Sequence, residues 1–231
     1  MKMLIVSDIH ANWMALQAIT ECADFVVCLG DLVDYGPCPE ECVSWAKTHV
    51  DVIVQGNHDY AVGYGADPQC SEAYREMALA TRDIHMRIIG EKDKEYLCDN
   101  PREISFEFGG NRFYAVHASP LDPLHRYLPS PLTKEVLAKE VESVDADVIL
   151  MGHTHLPSIF HLQGKTVINP GSVGQPKQGD PRSSFAIWED GQARLMKAEY
   201  PVEETIRLLE TLSLERSIIT RLSEILRTGR K

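Results

Sequence analysis

Short apolar runs alternate with amphipathic stretches over the first quarter of the chain. Residues 3–7, 25–29 and 52–54 are apolar and short enough to be buried strands. Between them, apolar residues recur at helical spacing after Asn12, a natural helix N-cap, and again over residues 40–47. Polar residues follow each strand. This order of strands and helices is typical of an α/β sheet with its functional groups at the strand ends.

The rest of the chain predicts further helices and several hairpins. Helical patterns cover residues 71–89, 92–97 and 133–144, and the tail 201–231 is helical with a break near Ser213. Strand patterns cover residues 104–108, 112–116, 148–151, 159–162, 166–169, 185–188 and 193–197. We predict one domain over residues 1–231, in which 60–102 is a helical excursion over the site and the Pro-rich segment 118–132 is a long loop near it.

The amino-acid composition indicates a globular protein and argues against some kinds of binding partner. Hydrophobic residues make up 44% and charged residues 25%, an ordinary globular mixture. The formal net charge of −11 disfavours general binding to nucleic acids or anionic membranes, which needs a basic surface. No apolar stretch has the length of a membrane span, and the six cysteines have no secretory context. These features predict a cytoplasmic protein without disulfides.

Metal-ligating side chains cluster at the ends of the apolar runs. The candidate ligands are Asp8, His10, Asp31, Asn57, His117, His153 and His155. Two of the pairs are two residues apart, a spacing that points both side chains the same way from an extended strand end. Isolated histidines are usually surface or satisfied core groups, but so many ligands at strand ends are rarely coincidental. Two divalent ions can bind the attacking and leaving oxygens of an in-line displacement, so the set predicts hydrolysis of a phosphate ester.

The order of these motifs resembles that of the calcineurin-like metallophosphoesterase superfamily. Asp8-Ile9-His10, Gly30-Asp31, Gly56-Asn57-His58-Asp59, His117 and Gly152-His153-Thr154-His155 look like its D-x-H, G-D, G-N-H-[DE], lone His and G-H-x-H motifs. The segments 30–37 and 169–176 are similar to those of a bacterial and archaeal subgroup of small phosphodiesterases. The resemblance covers roughly residues 3–198 and implies a four-layer αββα sandwich of two mixed β-sheets flanked by helices.

The resemblance also implies a role for each motif residue. Asp8, His10, Asp31 and His155 would hold one metal, and Asp31, Asn57, His117 and His153 the other, with Asp31 bridging. His58 would contact the phosphate and protonate the leaving oxygen or stabilise charge, while Asp59 orients its ring. The nucleophile would be a water activated by a metal ion. Such mixed ligands suit Mn, Fe, Zn, Ni or Co, with Mn favoured.

The expected function is hydrolysis of phosphodiesters or small nucleotides by a two-metal phosphoesterase. Three more residues, Asn12, Ser172 and Arg126, are predicted to contact the small-molecule phosphate-ester substrate. Phosphoprotein phosphatase and dinucleoside-polyphosphate hydrolase are the alternative activities. A non-catalytic scaffold is the alternative from another class, because a retromer subunit shares the fold without key histidines. No partner chain or oligomeric state is predicted.

Overall fold

A computed structural model describes residues 1–230 as two five-stranded mixed sheets packed face to face. The strands are β1 (Lys2–Val6), β2 (Phe25–Cys28), β3 (Val52–Ile53), β4 (Glu103–Phe108), β5 (Asn111–Val116), β6 (Val148–Leu150), β7 (Ser158–Leu162), β8 (Lys165–Asn169), β9 (Ser183–Glu189) and β10 (Gln192–Ala198). The first sheet has the order β10-β9-β1-β2-β3 and the second β4-β5-β6-β8-β7. In both, parallel strands form the centre and antiparallel partners form at least one edge.

Eight helices complete the described chain. They are α1 (Trp13–Gln17), α2 (Pro39–His49), α3 (Asn57–Tyr64), α4 (Glu72–Ile88), α5 (Glu91–Asp99), α6 (Lys134–Glu140), α7 (Val202–Leu209) and α8 (Arg216–Thr228). Helices α1 and α2 cover the outer face of the first sheet, and α6 covers that of the second. The predicted four-layer αββα sandwich is therefore confirmed. None of the helices within residues 1–230 is long and apolar enough to cross a membrane.

Successive side chains of β1 point to opposite faces of the first sheet. Met3 and Ile5 of β1 lie in the core between the sheets, whereas Leu4 and Val6 pack under the outer helices. Such a period of two places successive side chains on opposite faces of a sheet. Because both faces are covered, nearly every residue of this strand is apolar and buried. The carboxyl end of β1 is thus held firmly where Asp8 follows.

Most predicted elements are present, with ends that differ by a few residues. The prediction for 133–144 is too long, because α6 ends at Glu140 and the chain then turns. Helix α3 was missed, since its first turn is formed by the polar motif at residues 57–59 and its apolar residues make no stripe. It matters for function, because this helix begins at the candidate ligand Asn57 and carries His58 and Asp59 in its first turn.

Candidate metal centre

The seven predicted ligands converge at the carboxyl ends of strands from both sheets. One group consists of Asp8, His10 and His155, and a second of Asp31, His117 and His153; within each group the ligand atoms lie within 4.8 Å of one another. The Oδ1 atom of Asn57 adds to the second group, at 3.1 Å from both His117 Nε2 and His153 Nδ1. Residues from 8 to 155 along the chain therefore meet in one place.

Asp31 lies between the two groups. Its Oδ2 atom is 3.3 Å from His117 Nε2 in one group and 3.7 Å from His10 Nε2 in the other. Asp31 Oδ1 meanwhile accepts a hydrogen bond from the backbone amide of His58 at 2.9 Å, which fixes the carboxylate. The arrangement suits a carboxylate shared by two cations.

Backbone carbonyls orient three of the histidines. The Nδ1 atoms of His10, His117 and His155 face the carbonyl oxygens of Val33, Leu29 and Gln175 at 2.9, 2.6 and 2.5 Å. When Nδ1–H donates to a carbonyl, Nε2 carries the lone pair, so each ring presents its acceptor to the centre. His153 presents Nδ1 instead, at 3.2 Å from His117 Nε2.

The donor set fits divalent cations. Nε2 of His10 and Nε2 of His155 lie 3.2 Å apart, and the buried Asp8 Oδ1 beside them has no hydrogen-bond partner. Burial lowers the pKa of His10 and of His153 well below the usual value, which keeps these rings neutral and able to bind metal. Burial also disfavours protonation of His117, yet the Asp31 carboxylate raises its pKa to about 9. The carboxylates of the centre thus favour the presence of a cation among the ligands.

Backbone strain is concentrated in the ligand loops. Positive φ angles occur at Asp8 (53°), His10 (47°), Asp31 (58°), His153 (64°) and His155 (60°). This left-handed region is uncommon for residues other than glycine, at a cost of about 1–3 kcal/mol each, and such strain clusters at functional sites. Most of the ligand residues are therefore held in conformations that the loops would not adopt for stability alone.

Two glycines allow the ligand loops to approach each other. A Cβ atom on Gly30 would lie 2.4 Å from the backbone nitrogen of Gly56, and one on Gly56 would lie 2.1 Å from Asp31 Oδ1. Gly30 also has a φ of +88°. The close approach is between the loops after β2 and β3, and it places Asp31 next to the start of α3.

His58 is paired with a different carboxylate from the one predicted. Its Nδ1 atom lies 2.6 Å from Oδ2 of Asp34, so Asp34 orients the ring. The Asp59 carboxylate instead accepts hydrogen bonds from the backbone amides of Asp31, Leu32 and Gly56 at 2.8, 2.8 and 3.1 Å. Asp59 therefore holds the Asp31 loop, and the predicted Asp59–His58 contact is wrong.

The environment of His58 favours its protonated form. Burial by itself would lower the pKa of the imidazole, but the carboxylates of Asp31 and Asp34 outweigh this effect and raise the pKa above its usual value. His58 is absent from both ligand groups. His58 is therefore a buried imidazole beside the two ligand groups and not a member of either.

The three predicted substrate contacts have other partners. Asn12 is fully buried; its Oδ1 caps α1 and accepts from Thr205 Oγ1, and its Nδ2 donates to the Gly174 carbonyl. Ser172 Oγ donates to the Asp8 carbonyl at 2.8 Å, which supports the ligand loop. Arg126 makes a two-pronged ion pair with the buried Glu140 at 2.7 and 2.8 Å. These bonds give structural roles and do not support substrate contact.

Side chains that the sequence analysis did not single out cover the centre. The ring of Tyr127 lies 4.0 Å from that of His153, and the ring of Tyr35 lies 4.8 Å from that of His10. The Pro68 carbonyl accepts from Asn57 Nδ2 at 2.6 Å. None of the seven ligands is more than 3% exposed. Segments 60–102 and 118–132 thus both contact the centre, as expected, and the tertiary contacts show which of their residues do so.

Known proteins resemble this chain in sequence and in structure. The family model described as the calcineurin-like phosphoesterase superfamily domain matches residues 1–191. The uncharacterized protein MJ0912 of Methanocaldococcus jannaschii is 28% identical over 223 residues, which cover 87% of this chain and 88% of that protein. The crystal structure of a metallophosphoesterase from Sphaerobacter thermophilus has a TM-score of 0.81 at 28% identity, over 96% of this chain and 98% of that one.

A third relative shares the fold. The hypothetical protein PH1004 from Pyrococcus horikoshii OT3 has a TM-score of 0.84 at 21% identity, over 100% of this chain and 99% of that one. With the family match over residues 1–191, the chain belongs to the calcineurin-like phosphoesterase superfamily. The resemblance seen in the motifs is confirmed. Membership supports a metal-dependent phosphoester hydrolase as the class of activity, and the two groups of Asp and His residues are the candidate ligands for divalent ions.

Proposed function

We propose that this protein hydrolyses small-molecule phosphodiesters with two divalent metal ions. The observation that carries the proposal is the convergence of two Asp/His groups on a shared Asp31, with His58 buried beside them and outside both. The ligand groups alone would be sufficient to bind metal. A hydrolytic reaction also needs a group that can donate a proton, and His58 can serve as that group.

The protein's own residues have separate tasks in this reaction. Two bound divalent ions would polarise the phosphate ester and supply an activated water as the nucleophile. His58, held by Asp34 at 2.6 Å, donates its proton to the leaving oxygen. Asp59 keeps the Asp31 loop in place through three backbone amides.

Manganese is our proposed metal, from the set Mn, Fe, Zn, Ni and Co. Four imidazoles with carboxylate and amide oxygens make a ligand set of intermediate softness. Such a set accepts several first-row metals, and cellular availability then decides among them.

The burial of the centre favours a small substrate. Tyr127 and the loop around Pro68 lie against the ligands, and a phosphorylated protein or a nucleic acid would have to displace both. Ala118, Gly152 and Thr154, each next to a ligand in sequence, also line a mainly apolar cavity of about 240 Å³. That space accommodates one organic group of an ester and excludes a folded polypeptide. A dinucleoside polyphosphate is the alternative small substrate.

A substrate panel tests the proposal. The protein is loaded with Mn²⁺ and assayed with bis(p-nitrophenyl) phosphate, p-nitrophenyl phosphate, cyclic nucleotides, dinucleoside polyphosphates and a phosphopeptide. We expect the diester to be hydrolysed with the largest kcat/KM and the phosphopeptide with the smallest. Faster hydrolysis of the phosphopeptide would favour a phosphoprotein phosphatase, and no turnover of any substrate by protein holding two ions would favour a scaffold.

We also propose a cytoplasmic location. All six cysteines are free thiols, and four of them are buried. Disulfides form and persist mainly in oxidising compartments, so a chain with six unpaired thiols is more typical of a reducing one. Localisation of a tagged chain by fractionation checks this point.

A further inference from the structure

Lys177 is carried by a segment that is fastened to the ligand loops. The backbone amides of Val173 and Gly174 donate to the carbonyls of Ser7 and Asp8 at 3.0 and 3.1 Å. The Gln175 carbonyl accepts from Nδ1 of His155 at 2.5 Å. Lys177 follows Gln175 by two residues, so its backbone lies close to the ligand loops.

The ammonium group of Lys177 has an aromatic partner and, within residues 1–230, no carboxylate partner. Its Nζ atom lies 4.5 Å from the centroid of the Tyr74 ring. Burial lowers the pKa of Lys177 to about 8, against the opposing influence of Asp8 and Asp31. Tyr74 belongs to α4, so the segment over the centre helps to position this amine.

The partner ring of Lys177 places its ammonium group near His58. Tyr74 packs in the same apolar cluster as Tyr35, whose ring lies 4.8 Å from that of His10 and 5.0 Å from that of His58. The ammonium group, 4.5 Å from the Tyr74 ring, is therefore on the side of the centre that carries His58. A substrate phosphate bound between the ions and His58 is expected on that same side.

The half-buried ammonium group of Lys177 would be stabilised by a bound anion. Partial burial removes some of its water, and an aromatic face compensates for only part of that loss. Arg126, by contrast, is bound to Glu140. Lys177, which has no acidic partner within residues 1–230, is thus able to pair with the anionic group of a ligand.

We propose that Lys177 is a substrate-binding residue that donates a hydrogen bond to a non-bridging oxygen of the phosphate group. This inference rests on the proposed function, because the phosphate is that of the ester bound at the metal ions. One ammonium group matches the single negative charge of a phosphodiester. Tyr74 acts as a positioning residue that holds the ammonium over its ring.

Calorimetric titration with inorganic phosphate tests the assignment without relying on turnover. The Mn²⁺-loaded wild type is compared with Lys177→Met, Lys177→Gln and Lys177→Arg, with Lys92→Met as a control. Lys92 is an exposed lysine, so its replacement makes the same change in net charge far from any ligand role. Loss of a charge-assisted hydrogen bond should weaken phosphate binding about 10- to 100-fold in the Met and Gln variants. We expect Lys177→Arg to restore most of the affinity and Lys92→Met to leave it unchanged.

Turnover of bis(p-nitrophenyl) phosphate supplies the second readout. The Met variant should show a raised KM with metal content and melting temperature close to those of the wild type. Unchanged phosphate affinity in a folded Lys177→Met or Lys177→Gln protein holding two ions would overturn the assignment, as would undetectable phosphate binding by the wild type. If phosphate binding depends on Lys177 but no ester is hydrolysed, the proposed function fails while the assignment stands.

Discussion

Replacement of Asp31 by Asn should reduce the bound divalent metal from two ions to at most one per chain. Asp31 Oδ2 lies between His117 Nε2 at 3.3 Å and His10 Nε2 at 3.7 Å, so its negative charge serves both ligand groups. Metal ions contribute several kcal/mol to the stabilisation of the transition state, and 1.36 kcal/mol corresponds to a tenfold change in rate. We therefore expect kcat/KM for a phosphodiester to fall at least about 10³-fold. Metal analysis of the gel-filtered protein and a steady-state assay measure the two effects.

Asp190→Asn provides the matched control for this substitution. Asp190 has a side chain that is 86% exposed at the turn between β9 and β10, and it also has a positive φ of 53°, which Asn tolerates. Its replacement should leave metal content and activity unchanged. If the Asp31→Asn protein retained two ions and full activity, the shared position of Asp31 would have no functional meaning.

Replacement of His58 by Ala should abolish most turnover without loss of metal. The ring is buried, its Nδ1 lies 2.6 Å from Asp34 Oδ2, and it is not a member of either ligand group. A positioned general acid contributes about 10²- to 10⁴-fold to the rate, so kcat should fall by that factor. The measurement is kcat for an aryl phosphodiester, together with metal content and melting temperature.

Two further variants separate a catalytic effect from a structural one. His161→Ala removes an exposed histidine and should behave as the wild type. Asp34→Asn keeps an oxygen that can accept from His58 Nδ1, so its loss of kcat should be smaller than that of His58→Ala. A His58→Ala protein that lost metal in parallel with activity would indicate that His58 supports the ligands instead of the reaction.

The candidate ligands could be predicted from the sequence because they sit in short motifs at the ends of apolar runs. Asp8 and His10 follow β1 directly, and His153 and His155 follow β6. Parallel strands bring their carboxyl ends to one edge, so local pattern and topology agree. The side chains that pack against the ligands and His58, such as Tyr127 and Asp34, could not be predicted in this way.

Contacts between distant residues account for what the sequence analysis missed. His58 and Asp34 are 24 residues apart, and neighbouring Asp59 was the simpler choice from sequence alone. Nothing in the pattern around Tyr127 indicates that its ring meets His153, and Lys177 looks like an ordinary loop lysine. Such pairings depend on how separate elements pack, and a period of two or of 3.6 carries no information about them.

The strands were predicted more accurately than the ends of the helices. In β9, Phe185 and Ile187 face one core while Ala186 and Trp188 face the other, an apolar run that predicts a strand covered on both faces. Helix ends depend on capping and on neighbouring loops, which explains why α6 is shorter than its pattern. The break expected near Ser213 does separate α7 from α8.

We propose that phosphoester hydrolysis by this protein depends on two ions held by the Asp8 and Asp31 groups. The most direct test is titration of chelator-treated protein with Mn²⁺, with bound metal and bis(p-nitrophenyl) phosphate hydrolysis followed in the same samples. We expect negligible activity without metal and an increase that reaches its plateau at two ions per chain. Protein that holds two ions and hydrolyses neither this ester nor any other in the panel, or metal-free protein that is fully active, would contradict the claim.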